Sequence, residues 1–88
     1  MSTSDRWSVR VSVSEAAGET DAEARLDMDD EHLAGRGKAR LNPTDRDVSK
    51  IGAEIAVARA LSDLAHKLLN TATADIEGVT HERARLHL

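Results

Sequence analysis

Cysteine, phenylalanine and tyrosine are absent from this chain of 88 residues, which has a single tryptophan and a single proline. Without cysteine there is no disulfide framework, no thiolate cage for a metal and no thiol nucleophile, a usage that suits the cytoplasm. With Trp7 as the lone aromatic, a platform on which bases could stack is missing. No segment approaches the roughly 18 apolar residues of a membrane span, and no apolar run follows Met1 to Arg6. The chain is therefore expected to be soluble and cytoplasmic, with no membrane contact. Its net charge of −4 argues against a general, charge-driven nucleic-acid binder. Leu, Ile and Val make up about a fifth of the residues, and alanine leads the apolar stock, so each buried position removes little area from water. At this size only about 60–65% of the unfolded chain's surface is buried. Such a thin core would gain from a second subunit.

What is present is organised around Ser49 to about Asn70, which reads as one amphipathic helix. At about 100° per residue, Ile51, Ile55, Ala58, Leu61, Leu64, Ala65 and Leu68 share a main face, with Arg59, Asp63, His66 and Asn70 opposite. Upstream, Trp7, Val9, Val11 and Val13 alternate with Ser8, Arg10, Ser12 and Ser14, the period of a half-buried strand. Glu15 to Glu19, with Gly18 able to take positive φ, makes a hairpin turn. Ala22, Ala24, Leu26 and Met28 alternate with Asp21, Glu23, Arg25 and Asp27 in a second strand, followed by an acidic turn. The third runs from about Leu33 to Leu41, with Leu33, Gly35, Gly37, Ala39 and Leu41 inward. Its two glycines leave room for the helix backbone to come close. Pro43 ends the sheet, and Asp47 or Ser49 caps the helix. Residues 71 to 79 read as irregular, and Ala84, Leu86 and Leu88 alternate in an extended tail. The expected fold is α+β: a three-stranded antiparallel sheet and one long helix, β-β-β-α. Residues 1–5 are expected to be disordered and 6–88 to form a single domain.

Two surfaces invite partners. Ala53, Ala56 and Ala60 form a second apolar strip beside the main helix face. A row of small residues suits a close isologous helix contact, so a homodimer is expected there, with Leu86 and Leu88 of the tail along a sheet edge. On the outer sheet face Arg10, Arg36, Lys38 and Arg40 form a basic row able to follow a phosphate backbone. Asp21, Glu23 and Asp27 stand at the same level, and cross-strand ion pairing is the ordinary alternative. Glu54 falls within the apolar arc and is expected to be solvated at the helix start.

Catalysis and metal binding find little footing. Gly35-Arg36-Gly37-Lys38 lacks the spacer of a phosphate loop and has Ala39 where Ser or Thr would meet magnesium. His32, His66, His81 and His87 show no metal-ligand spacing, and Asp27 to Glu31 lacks the glycine and final Glu of a calcium loop. No nucleophile, base and orienter converge on a pocket. No enzyme activity, cofactor, metal or small-molecule substrate is expected.

Specific stretches carry a resemblance: Ala39-Arg40-Leu41-Asn42-Pro43 with Asp45-Arg46, Ile51-Gly52, Val57 to Leu64, and Asp75-Ile76-Glu77 with Thr80-His81. From Trp7 to its end the chain resembles a family of small actinobacterial proteins of uncharacterised function. Proteins of this kind are likened in fold to double-stranded-RNA-binding domains and, as dimers, to ribosome hibernation-promoting factors, with links to dormancy and stress. The resemblance implies a β-β-β-α subunit, a homodimer and a ribosome-directed role. The helix start departs from the double-stranded-RNA-binding pattern, with Arg46 and Lys50 set among Asp45, Asp47 and Glu54 where a lysine cluster would stand. The first expectation is thus a non-enzymatic stress or dormancy protein acting on the ribosome or its RNA through Arg10, Arg36, Lys38 and Arg40. The alternative is a homodimeric protein-interaction module with no nucleic-acid contact, using the sheet edge or the tail from His81 to Leu88.

Overall fold

A computed structural model of the chain describes residues 5–40, 48–81, 84 and 86. Three strands, β1 (Ser8–Ala16), β2 (Glu19–Asp27) and β3 (His32–Arg40), are followed by one helix, α1 (Val48–Thr80). The strands form an antiparallel sheet in the order β1-β2-β3. The expected β-β-β-α architecture is what the chain adopts.

Turn chemistry sets the register. Ala17 and Gly18 take positive φ of 53° and 77°, the two left-handed residues that a tight hairpin needs. Ser14 is then opposite Asp21 and Val11 opposite Ala24. On the far side of β2, Ala24 is opposite Gly35 and Ala22 opposite Gly37. A four-residue turn closed by the Met28 N–H on the Glu31 carbonyl at 2.9 Å joins β2 to β3.

Ala22, Ala24, Leu26, Ala39, Ala56, Ala60 and Leu64 form the core. The helix reaches it because β3 has no side chain at two positions. A Cβ on Gly37 would collide with the Ala56 carbonyl and the Ala60 backbone nitrogen, and one on Gly35 would strike the Ala60 carbonyl and the Leu64 backbone. The close approach expected of these glycines is present, and it turns the helix from the expected wheel: Leu64 is in the core with Ile55 and Leu68 packed against it, as expected, but Ala56 and Ala60 join them in place of Ile51, Ala58 and Leu61. Ala56 and Ala60 are fully buried against the sheet, so they are not a dimer surface. Only small side chains fit where helix and strand backbones nearly touch. The larger Ile51, Leu61 and, further along, Ile76 are turned outward, each about 40% exposed. Glu54 is exposed, as expected.

The helix also runs ten residues further than the sequence pattern suggests. Residues 71–80 are helical, with the hydroxyls of Thr71, Thr73 and Thr80 satisfied by donating to the carbonyls four residues back. His81 at φ 60° donates its N–H to the Glu77 carbonyl at 2.7 Å and ends it. At about 1.5 Å per residue the helix is about 50 Å long, against about 30 Å for a nine-residue strand. Its C-terminal end therefore overhangs the sheet, with Val79 exposed. Beyond it the Ala84 N–H meets the Glu77 carboxylate at 3.4 Å; Leu41, Asp47 and Leu88 lie outside the described residues.

Gly37→Ala is expected to lower stability by about 1–3 kcal/mol or more through overpacking against backbone. Gly78→Ala, at an exposed helical site with open space around it, should raise it by up to about 1 kcal/mol. Urea unfolding followed by circular dichroism checks both; a neutral Gly37→Ala would contradict the close approach.

Candidate functional site

The outer sheet face is a ladder of opposite charges. Its register places each cation of β3 across from a carboxylate of β2. Lys38 Nζ is 2.8 Å from Glu19 and 3.7 Å from Asp21, Arg40 is 3.1 Å from Glu19, and Arg36 is 3.4 Å from Glu23. Glu19 accepts from both Lys38 and Arg40, and these contacts hold its carboxyl below the usual carboxylate range. The same hydrogen bond to Glu19 pushes Lys38 up. Three of the four residues expected to meet RNA are thus already paired within the sheet. Arg10 stands apart, on β1 opposite Arg25, and among the described residues it has no ion-pair partner. Ser12, Ser14, Asp21, Glu23, Arg36 and Lys38 line a shallow depression of about 590 Å³ on this face. Its floor is sheet backbone, and it holds no nucleophile paired with a base.

The helix side is different. Val9, Val11 and Val13 are opposite Leu26, Ala24 and Ala22, so they point to the side on which α1 packs. The helix lies over β3 and β2 and scarcely touches β1. As a result these three valines are 50%, 41% and 48% exposed rather than forming the buried face of the half-buried strand that their alternation suggests. Trp7 is also exposed. On the flank of α1 turned away from β3, Ala53, Val57, Ala58 and Leu61 line a second shallow hollow with Glu54 at its rim. Strand and helix flank thus each leave apolar side chains uncovered. Of the residues expected at a dimer contact, Ala53 borders this hollow and Leu86 is exposed.

The two sheet edges are also unlike. Along the free edge of β3, Arg59 donates to the Lys38 carbonyl at 2.7 Å. Asp63 accepts the Arg36 N–H at 2.9 Å, and Lys67 donates to the Ala34 carbonyl at 2.7 Å. Residues four apart on a helix advance about 6 Å and residues two apart on a strand about 6.6 Å, so the three side chains keep step with the edge. Arg59 and Asp63, expected on the solvent face, instead close this edge. Their spacing at i, i+4 and i+8 as donor, acceptor, donor was the available signal. The Arg36 N–H, with Lys67 at 3.1 Å, draws the Asp63 carboxyl below its ordinary value.

His32 Nδ1 is 2.7 Å from Asp27 on the exposed surface, and His66 Nδ1 is 2.8 Å from the Ser62 carbonyl. Among the described residues no group of three His, Asp or Glu side chains is arranged to hold a metal, and no helix is long and apolar enough to cross a membrane.

With this geometry in hand, comparison with known proteins places the chain. A family model described as Rv2632c-like matches residues 5–85. The chain belongs to the Rv2632c-like family. It is 54% identical over 80 residues to the uncharacterized protein Mb1767 of Mycobacterium bovis, covering 91% of this chain and 85% of that one. It is 45% identical over 74 residues to the uncharacterized protein Rv2632c of Mycobacterium tuberculosis, covering 84% and 80%. The crystal structure of Rv2632c superposes with a TM-score of 0.83 at 41% identity, over 92% of this chain and 96% of that one. The family is mycobacterial and uncharacterised, as the sequence resemblance implied of an actinobacterial group.

Because Asp63 is held below its ordinary value, it stabilises the fold above the unfolded-state pKa, near pH 4, and that contribution is lost as pH falls through the folded value. Glu19 acts in the same direction. Asp63→Asn is expected to lower the urea midpoint at pH 7 and to reduce its decline below pH 4. Urea titrations from pH 7 to pH 2.5 measure this; an unchanged midpoint at pH 7 would remove Asp63 from the edge.

Proposed function

We propose that this protein is a non-enzymatic protein-interaction module that works as a homodimer, with β1 and the apolar flank of α1 at the contact. One observation carries the reading: the valine row of β1 is on the helix side of the sheet but beyond the reach of the helix. Apolar surface in an uncovered row is the usual mark of a partner site, and self-association about a twofold axis is its commonest form in small proteins. The outer face supports this choice over a nucleic-acid role, since cations matched by carboxylates at 2.8–3.4 Å leave little net positive field for phosphate.

Arg10 beside Arg25 favours a second reading, in which the likeness to double-stranded-RNA-binding domains and hibernation factors is functional and a cytoplasmic dimer acts on the ribosome during stress or dormancy. Salt distinguishes the two, because phosphate contacts weaken steeply as salt rises and apolar contacts do not.

Sedimentation velocity across a concentration series is expected to give a dimer, and Val9→Lys with Val13→Lys a folded monomer. A wild-type monomer at every concentration sinks the proposal. In parallel, pelleting with actinobacterial ribosomes at low salt, abolished by Arg36→Glu, Lys38→Glu and Arg40→Glu together, would move the assignment to the ribosome.

A further inference from the structure

We propose that a second copy of this chain adds its β1 to β1, antiparallel about a twofold axis at Val11, so that two three-stranded sheets become one of six strands. This deepens the homodimer reading above and rests on it.

The backbone parity of the sheet supplies the first argument. On β3, the Arg36 N–H and the carbonyls of Ala34 and Lys38 point away from β2, toward the helix side chains that bind them. Gly35 and Gly37 therefore exchange hydrogen bonds with Ala24 and Ala22, their partners on β2. Backbone groups alternate along a strand, so Arg25, Glu23 and Asp21 turn toward β1 and bond Arg10, Ser12 and Ser14. Val9, Val11 and Val13 are left with their N–H and C=O groups at the open edge.

Chemistry then selects the occupant and the register. The edge of β3 is closed by Arg59, Asp63 and Lys67, leaving β1 as the open one. β1 contains neither proline nor glycine, and its one cation is Arg10, so it lacks the usual devices that keep edges apart. Antiparallel pairing with itself must put valine opposite valine for the open groups to meet. A twofold axis at Arg10 would set two arginines directly across from each other, a destabilising pair. An axis at Ser12 would place Val9 against Glu15, whose carboxylate accepts from Ser49 at 3.1 Å. With the axis at Val11, Val9 meets Val13, Val11 meets itself, Ser8 meets Ser14 and Arg10 meets Ser12. No like charges are opposed, and the valine N–H and C=O groups of both chains close six hydrogen bonds.

The dimer so formed has a consequence for partners. With strands about 4.8 Å apart and each helix seated over β2 and β3, the two helix axes stand about 19 Å apart, which exceeds a helix diameter of 10–12 Å. Between them lies a groove floored by six valines and walled by Val57 and Leu61 of each copy.

The absence of native cysteine makes disulfide trapping direct. In this register the Val11 Cα atoms of the two copies are about 5.5 Å apart, a separation that a disulfide spans. Val11→Cys is expected to cross-link most chains under mild oxidation, while Ser12→Cys and Ala58→Cys stay largely uncross-linked. Val11→Pro removes a donor that the monomer does not use, so it should keep the native circular dichroism yet raise the dimer dissociation constant roughly tenfold to a hundredfold. A wild-type dimer that traps through Ala58→Cys but not Val11→Cys, and that is indifferent to Val11→Pro, would overturn this pairing and leave the homodimer standing. Efficient trapping at Ser12 in place of Val11 would overturn the register. A wild-type chain that is monomeric throughout would remove both proposals.

Discussion

Everything in this fold follows from the distance between one helix and one strand. With glycine at positions 35 and 37, the backbone of α1 comes into contact with β3 at Ala56, Ala60 and Leu64. A side chain at either glycine would collide with that backbone. The helix axis is thereby pinned over β3 and β2, and the third strand falls outside its width. A helix held further off by larger side chains would be free to slide toward the middle of the sheet and cover Val9, Val11 and Val13. The apolar strip on β1 and the tight seam on β3 are two results of one placement.

The same placement decides which edge of the sheet is open. Only a helix held this close, and off-centre, can send Arg59, Asp63 and Lys67 over the rim to the carbonyls and N–H of the outermost strand. Lys67 also pairs along the helix with Asp63 four residues earlier, the arrangement that helps an exposed helix on its own. Closing one edge and leaving the other bare gives the sheet a direction of growth. In the proposed dimer a single further copy ends that growth, because each copy then offers only its closed edge.

How much of this could be read from the residues depends on what each signal measures. Period-2 alternation placed all three strands within a few residues, and the glycines of β3 pointed to the helix. Alternation says which residues share a face, however, and nothing about whether that face is covered, so the valines of β1 were expected on the covered face of a half-buried strand. The helix wheel held for Leu64, Ile55 and Leu68, which are in or against the core, and erred elsewhere for a related reason. Weighting positions by apolar size put Ile51, Ala58 and Leu61 in the core, whereas the seam with Gly35 and Gly37 selects the smallest side chains, Ala56 and Ala60. A stripe of alanines facing a stripe of glycines is the pattern that would have found it. Residues 71–80 were missed because threonine, glycine and scattered charge lack a helical apolar period. On the outer face the charges were legible but their use was not. Whether Arg36, Lys38 and Arg40 stand free or paired depends on a register that only the turn at Ala17 and Gly18 fixes.

Five of the seven core residues are alanines, and the other two are Leu26 and Leu64. An alanine removes far less apolar area from water than a leucine or a phenylalanine, and the hydrophobic contribution scales with that area. Net stability is a small difference between large terms, so a subunit with this core has little margin over the entropy of its ordered backbone. Enlarging the core is not open to it, because any bulk added at the seam separates the backbones that define the fold. The remaining route is to remove from water the apolar area that the seam itself displaced outward, on β1 and on the far flank of α1. In the proposed dimer that area is shared between copies, so stability would rise with protein concentration. The thin core and the exposed valine strand are therefore linked: the packing that keeps the core small is the packing that leaves Val9, Val11 and Val13 uncovered.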